Sequence, residues 1–393
     1  IIPQALDVYG RTVADVYAIN TLGGILGSLL SGFVLIKFLG LQPALTVIAL
    51  ALMLIGGVLA IMLAKPWLRA TRIGVAAIMI GLVIFLGFNH PRFDRKLLFA
   101  GWGPFAGGTE VIQYGGSSAQ IVDIAEKYMQ RLTYHKEGVC ASVDVMETPY
   151  GDKILSINAQ PVATTYLYDM RALKMLGHLP VLLHPQPKDV LIIGLGAGVS
   201  SGIIGSYPAV QNVTVAELSE EVPGGTEKFA DWNFNVLKNP KVRVVINDGA
   251  NYVKATRKQY DIISSDPIHP FLMGNGILYS LEHWQNCKAH LKEGGILEQW
   301  LPLYQLSQSD FATIIHTFYE VFPNATMWYT GIDVLLIGAK GDFKIDPNRM
   351  AEHMSAPKMQ ADLLSLGISQ PADVLGMFCA GPKQFKEIGG RPS

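Results

Sequence analysis

The sequence predicts an α/β protein: a Rossmann-like doubly wound sheet with a small N-terminal β region, preceded by about three transmembrane helices. Three observations carry that expectation. The first 90 residues hold three long runs without a charged side chain; from 188 onward short apolar strands alternate with helical segments; and the first of those strands, "DVLIIGL", runs into the glycine turn "GLGAG". Half of the 393 residues are hydrophobic and only 16% are charged, a balance too apolar for an ordinary soluble chain.

Residues 16–36 and 44–64 are each long enough, as helices, to cross about 30 Å of hydrocarbon. The third run, 73–88, is shorter and would span only with local thinning or help from its flanks. Gly23, Gly27 and Ser31 recur every four residues, which leaves one helix face nearly flat and lets another helix backbone approach. The partners expected here are the lipid bilayer and further transmembrane helices, the chain's own or a partner subunit's. Lys65, Arg69 and Arg72 lie before the third run and Arg92, Arg95 and Lys96 after it, so the two basic clusters cancel and leave orientation open. The start, "IIPQALDVYG", has neither an initiator Met nor a signal-peptide charge pattern and reads as a chain picked up partway through.

The composition divides the chain into a transmembrane segment (1–95), a small β-rich region (96–180), a Rossmann-like nucleoside-binding domain (181–344) and a polar helical tail (345–393) from which no partner can be read. Within the second, 138–165 alternates apolar and polar residues around "PYGD", the pattern of a hairpin or short meander. In the third, "DVLIIGL", "NVTVAEL", "VRVVIND", "YDIISSD" and "GILEQWL" are separated by helices expected from about 199, near 227–237, at 280–292 and at 308–321. Such strands belong to a parallel sheet covered on both faces. "ATMWYT" and "DVLLIGA", joined through Gly331, are expected as an antiparallel edge hairpin.

Net charge is -1, from 31 basic and 32 acidic residues, so no global field draws the chain to nucleic acid. Cys140, Cys287 and Cys379 are far apart and form no metal pattern with the histidines, which makes a reduced, metal-free protein the expectation. In a doubly wound sheet the ligand sits at the carboxyl ends of the strands. The first strand ends in Gly194, Gly196 and Gly198, with Val199 where a dinucleotide fingerprint requires glycine. The next three end in Glu217, placed for the two ribose hydroxyls, Asp248, placed for an adenine amine, and Asp266, over the cleft. With no P-loop and no basic clamp, this set suits an adenosyl nucleoside without a diphosphate.

From about 134 to 340 the chain resembles the spermidine synthases, and more closely the membrane-embedded spermidine synthase-like proteins in which that domain follows a helical bundle. The resemblance rests on "EGVCASVDV", "LSINAQ", "HLPVLLHPQPKDVLIIGLGAG", "VTVAEL", "NDGANYV", "YDIISSDPIHP" and "LKEGGILEQWLPL", in that order. "VYAINTLGGILGSLLSGFVLIKFLGL" is similar to the last helices of the bundle, and the chain stops before the family's acidic closing motif, so both ends read as incomplete.

The resemblance implies that Gly194, Gly196 and Gly198 line the site of a sulfur nucleoside, either decarboxylated S-adenosylmethionine or S-adenosylmethionine. It implies that Glu217 binds ribose, that Asp248 sits beside adenine, that Gln160 lies near the nucleoside and that Asp266 accepts the amine proton. The departures fall on the amine side. The family's Asp-Gly after the glycine turn is Ala197 and Gly198 here, its second acid in a D-x-x-D spacing is His269, and a pocket tyrosine is Ala172, although Asp169 nearby keeps one acid. A polyamine needs carboxylates and aromatic faces to replace its water. His269 is either a proton carrier or a structural loop histidine, Trp300 lines the acceptor pocket or the core, and Tyr279 is placed to close over substrate, with Gly274 and Gly276 permitting movement.

Two functions are therefore expected. One is a membrane-anchored aminopropyl- or methyltransferase with Asp266 as general base, a small-molecule amine as acceptor and its soluble domain in the cytoplasm. The other is a non-catalytic structural or regulatory subunit that keeps the fold.

Overall fold

The computed structural model describes residues 2–63, 131–266, 269–270 and 274–389, with a few positions between 74 and 85. The chain divides into two compact units, 1–95 with 137–141, and 96–136 with 142–393.

In the first unit the helix Ile2–Leu30 continues through a π-helical turn, Ser31–Leu35, into Ile36–Leu39. Gly40, at φ 84°, turns the chain into the helix Leu41–Leu63. Two stretches of these helices, Val13–Leu39 (27 residues) and Leu41–Leu59 (19 residues), are long and apolar enough to cross a membrane. The described residues thus carry two candidate spans where the sequence predicts about three; the third run, 73–88, is described only at interrupted positions. A Cβ at Gly23 or Gly27 would meet nothing within 4 Å, so the flat face has no partner among the described residues.

The second unit starts with an antiparallel sheet, β1 (Arg131–Glu137), β2 (Ser142–Glu147), β3 (Lys153–Ile157) and β4 (Gln160–Thr164), in sequential order. Asn158 and Ala159, both at positive φ, make the two-residue turn between β3 and β4, with Ile157 facing Gln160 across it. A mixed eight-stranded sheet follows: β5 (Asp189–Ile193), β6 (Asn212–Glu217), β7 (Val242–Ile246), β8 (Tyr260–Ser265), β9 (Leu291–Pro302), β10 (Thr326–Tyr329), β11 (Asp333–Ala339) and β12 (Phe378–Ala380). Their order is β12-β10-β11-β9-β8-β5-β6-β7. The five strands from β9 to β7 are parallel, and β11 returns antiparallel against β9. Val190, Leu191, Ile192 and Ile193 of β5 are all buried, as a central strand with both faces covered requires.

Three elements differ from the sequence reading. The helix Leu167–Leu183 runs across the expected boundary at 180 and packs so closely on the helix Val199–Ser206 that a Cβ at Gly177 would lie 2.8 Å from Ile203. The β10–β11 pair is not an edge hairpin, since β12 from the tail pairs with β10. The helix expected near 227–237 is instead two single turns, Glu227–Phe229 and Val236–Lys238, because Phe234 and Asn235 adopt positive φ. The tail docks rather than dangles: Asp362 bridges Lys174 (2.6 Å) and His178 (2.9 Å) of the helix Leu167–Leu183.

Asn233 ties the glycine turn to this irregular segment, its amide donating to the carbonyls of Ala197 (2.8 Å) and Thr226 (2.9 Å). Gly202 makes the approach possible, since a Cβ there would fall 2.0 Å from the Asn233 carbonyl oxygen. Gly202→Ala is expected to destabilise the second unit by about 1–3 kcal/mol through overpacking, read as a lowered Tm in a thermal scan; an unchanged Tm would show that this backbone contact does not constrain the fold.

Candidate active site

The carboxyl ends of the parallel strands open into one cavity lined by Gly194, Gly196, Glu217, Asp248, Asp266, Asp169, His269 and Trp300. Gly194 ends β5 at φ 95°, and a Cβ there would meet the Asp266 carbonyl oxygen at 2.8 Å, so only glycine lets β5 and β8 close at this point. Asp266 is held in turn by its N–H, which donates to the carbonyl of Ile193 (3.1 Å).

Glu217, at the end of β6, is buried, and its two carboxylate oxygens accept from the backbone N–H groups of Leu195 (2.9 Å) and Ser219 (2.9 Å). Burial pushes its pKa up, and these backbone donors pull it back. The carboxylate is thereby fixed in place, with lone pairs left over for ligand hydroxyls. Asp248 caps the helix Gly249–Ala255 by accepting from the Asn251 N–H (2.7 Å).

The other half of the cavity concentrates acid. Asp169, in the first turn of the helix Leu167–Leu183, accepts from the Thr164 N–H, and burial raises its pKa to about 6. Desolvation, then the charges of Asp169 and Asp333, raise Asp266 to about 7. Asp333, the first residue of β11, is also raised to about 7, chiefly by burial; the Trp300 side chain hydrogen-bonds to it and opposes the shift, while Asp169 adds to it. Beneath them the fully buried Glu298 accepts from the Ser264 hydroxyl (2.8 Å), and burial and Asp266 together push its pKa well up. His269 is buried with its ring edge-on to Trp300 (5.5 Å) and Tyr304 (5.3 Å), and burial lowers its pKa and favours the neutral ring.

Three of the residues expected at the site do not line the cavity. Gln160 sits at the β3–β4 turn, two residues from Val162, which does line it. Gly198 begins the helix Val199–Ser206 and packs toward Thr226 and Val236. Tyr279 is buried behind the wall, its hydroxyl donating to the Trp300 carbonyl (3.3 Å). Among the cavity residues that the sequence reading leaves out are Asp333 and Tyr304. The leading Asp of "DVLLIGA" was the available signal for the first. The start of an antiparallel strand lies at the same sheet edge as the ends of its parallel neighbours.

Along the sheet the order is Asp248 (β7), Glu217 (β6), Gly194 (β5), Asp266 (β8), Trp300 (β9) and Asp333 (β11). Asp248, Glu217 and Gly194 stand at one end, and the carboxylates of Asp266 and Asp333 with the ring of Trp300 at the other. The lining includes five carboxylates and, among the described residues, no lysine or arginine. Such a cavity selects cationic ligands.

Residues 170–343 match the family model described as the spermine/spermidine synthase domain. The polyamine aminopropyltransferase of Buchnera aphidicola subsp. Acyrthosiphon pisum is 27% identical over 218 residues, covering 53% of this chain and 76% of that protein. That of Thermotoga maritima is 28% identical over 200 residues, covering 50% and 66%. Among solved structures, a spermidine synthase in complex with the transition state analogue AdoDATO superposes with a TM-score of 0.57 at 23% identity, over 67% of this chain and 89% of that one. The Thermotoga maritima spermidine synthase gives 0.55 at 22%, over 67% and 88%. The second unit has the α/β spermidine synthase fold with a mixed sheet.

The raised acids make stability depend on pH. Asp266 and Asp333 have folded pKa values of about 7 against an ordinary 3.8, so their contribution is fully present below about pH 4 and is lost as pH rises through 7. Tm is therefore expected to fall between pH 5 and pH 8, and Asp333→Asn to raise Tm more at pH 8 than at pH 5. Equal effects at both pH values would show that the Asp333 carboxyl ionises normally in the fold.

Proposed function

From a chain whose residues 170–343 match the model of the spermine/spermidine synthase domain, we propose a membrane-anchored aminopropyltransferase that uses decarboxylated S-adenosylmethionine and a small amine, with Asp266 as general base. The observation that carries this reading is the acid-lined cavity, which has no lysine or arginine among the described lining residues. A sulfonium nucleoside whose tail ends in an ammonium suits that field. The carboxylate of S-adenosylmethionine would meet Asp169, Asp266 and Asp333 with no cation to receive it, which argues against methyl transfer.

Glu217 accepts hydrogen bonds from the ribose hydroxyls, Asp248 from the adenine amine, and Gly194 and Gly196 let the nucleoside lie against backbone. Asp266 takes a proton from the attacking nitrogen. The freed lone pair forms a bond to the propyl carbon beside the sulfonium, the carbon–sulfur bond breaks, and methylthioadenosine leaves as a neutral thioether. The raised pKa of Asp266 makes it a stronger base than an ordinary carboxylate, and alignment with a good leaving group supplies the remainder. The two apolar helices Val13–Leu39 and Leu41–Leu59 are the proposed anchor, with the flat face of Gly23, Gly27 and Ser31 turned to further helices and the catalytic unit in the cytoplasm.

Calorimetry on the protein in mild detergent tests the reading. Decarboxylated S-adenosylmethionine and methylthioadenosine are expected to bind, and S-adenosylmethionine more weakly; folded protein that binds none of the three would overturn it. Asp266→Asn is expected to lower turnover about 10²–10⁴-fold with nucleoside affinity little changed, and unimpaired turnover would remove Asp266 from the mechanism. Because the pocket acids must ionise to receive a cation, kcat/KM for the amine is expected to rise from pH 5 to pH 8, through the values of about 6 and about 7 set by Asp169 and Asp266.

A further inference from the structure

We propose that Asp362, in the C-terminal tail, is a positioning residue that braces the cavity wall from behind, so that docking of the tail and binding of an amine in the cavity are coupled. The assignment takes its ligand from the transferase reading above. Asp362 itself does not line the cavity and acts through the helix Leu167–Leu183.

That helix presents two opposite faces. Asp169, Ala172, Leu173 and Leu176 line the cavity, at the i, i+3, i+4, i+7 spacing of a single face. Arg171, Lys174 and His178 reach the tail instead. Arg171 Nη1 donates to the Leu366 carbonyl (3.3 Å), Lys174 Nζ donates to Asp362 Oδ1 (2.6 Å) and to the Ser365 hydroxyl (3.0 Å), and His178 Nε2 meets Asp362 Oδ2 (2.9 Å). At about 3.6 residues per turn the two sets point about 180° apart. One helix is thus cavity wall on one side and tail dock on the other.

The dock is buried, and each of its atoms is used. The Asp362 side chain is 10% exposed, and each of its oxygens holds a different residue of the helix. His178 is fully buried, and its other ring nitrogen meets the Tyr207 hydroxyl (2.7 Å). Tyr207 closes the helix Val199–Ser206, which begins at Gly198 of the glycine turn. Asp362 therefore ties the tail to one helix that walls the cavity and, through His178, to another that starts at the glycine turn. Removing its charge leaves Lys174, 15% exposed, without its carboxylate. The helix needs this outside support because Pro180 lies within it and cannot donate to the Leu176 carbonyl. Its own hydrogen-bond ladder is open beside His178, and Leu176, whose carbonyl loses the donor, belongs to the cavity face.

The test uses the full chain in detergent, with methylthioadenosine and 1,4-diaminobutane as probes and amide hydrogen exchange beside calorimetry. In the wild type, adding the diamine to protein saturated with methylthioadenosine is expected to slow exchange over residues 357–366 about tenfold, and Asp362→Asn to weaken diamine binding by a similar factor, because coupling between two sites is reciprocal. Methylthioadenosine affinity is expected to change little in the variant, which also reports that it is folded. A merely structural aspartate would not make tail exchange respond to a ligand on the other side of the helix. Unchanged tail exchange in a wild type that binds the diamine overturns the assignment, and that measurement needs no variant. Full diamine affinity in Asp362→Asn, or a parallel loss of methylthioadenosine affinity, overturns it as well. A wild type that binds methylthioadenosine but no diamine overturns this assignment alone; one that binds neither overturns the transferase reading and this assignment with it.

Discussion

The close approach of β5 and β8 at their carboxyl ends is the contact on which the site depends. It exists because Gly194 has no Cβ to meet the Asp266 carbonyl, and because the Asp266 N–H bonds back to Ile193. Two parallel strands buried on both faces leave only their ends open, and here those ends bring a glycine turn and an aspartate side by side. Glu217 then locks the turn from the next strand by accepting the Leu195 N–H. The half of the cavity that runs from Gly194 to Asp248 is therefore built largely from backbone.

The acidic half follows a different logic. Asp169, Asp266 and Asp333 converge from a helix, a parallel strand and an antiparallel strand, and each is raised toward neutrality by burial and, for each of the last two, by other acids. Ionised together, these acids would store unfavourable electrostatic energy, which is why burial and mutual repulsion hold them toward the neutral form. The helix Leu167–Leu183 holds one of the three acids at its start and is clamped at its back by Asp362 of the tail, through Lys174 and His178. The polar tail, opaque as sequence, thus steadies an element that borders the site.

Much of the site was legible because strand ends are legible. Runs such as "VLII", "VTVAE" and "YDIISSD" announce buried strands, and the residue that ends each one must lie at the open edge of a parallel sheet. Gly194, Glu217, Asp248 and Asp266 needed no more than that. Gln160, Gly198 and Tyr279 were placed on motif or resemblance, and the cavity does not include them: the β3–β4 turn, a helix start and the second layer of packing hold them instead.

By itself, the sequence determined the alternation of strands and helices, the glycine turn, the acids at the parallel strand ends and the apolar character of the N-terminal helices, because each is written in local periodicity or in the residue that ends a run. Only the tertiary structure decided that Asp333 belongs with Asp266, 67 positions earlier in the chain by number. Strand direction is the reason. An antiparallel strand presents its first residue where a parallel strand presents its last, and nothing local to "DVLLIGA" states which neighbour it will pair with or which way it will run.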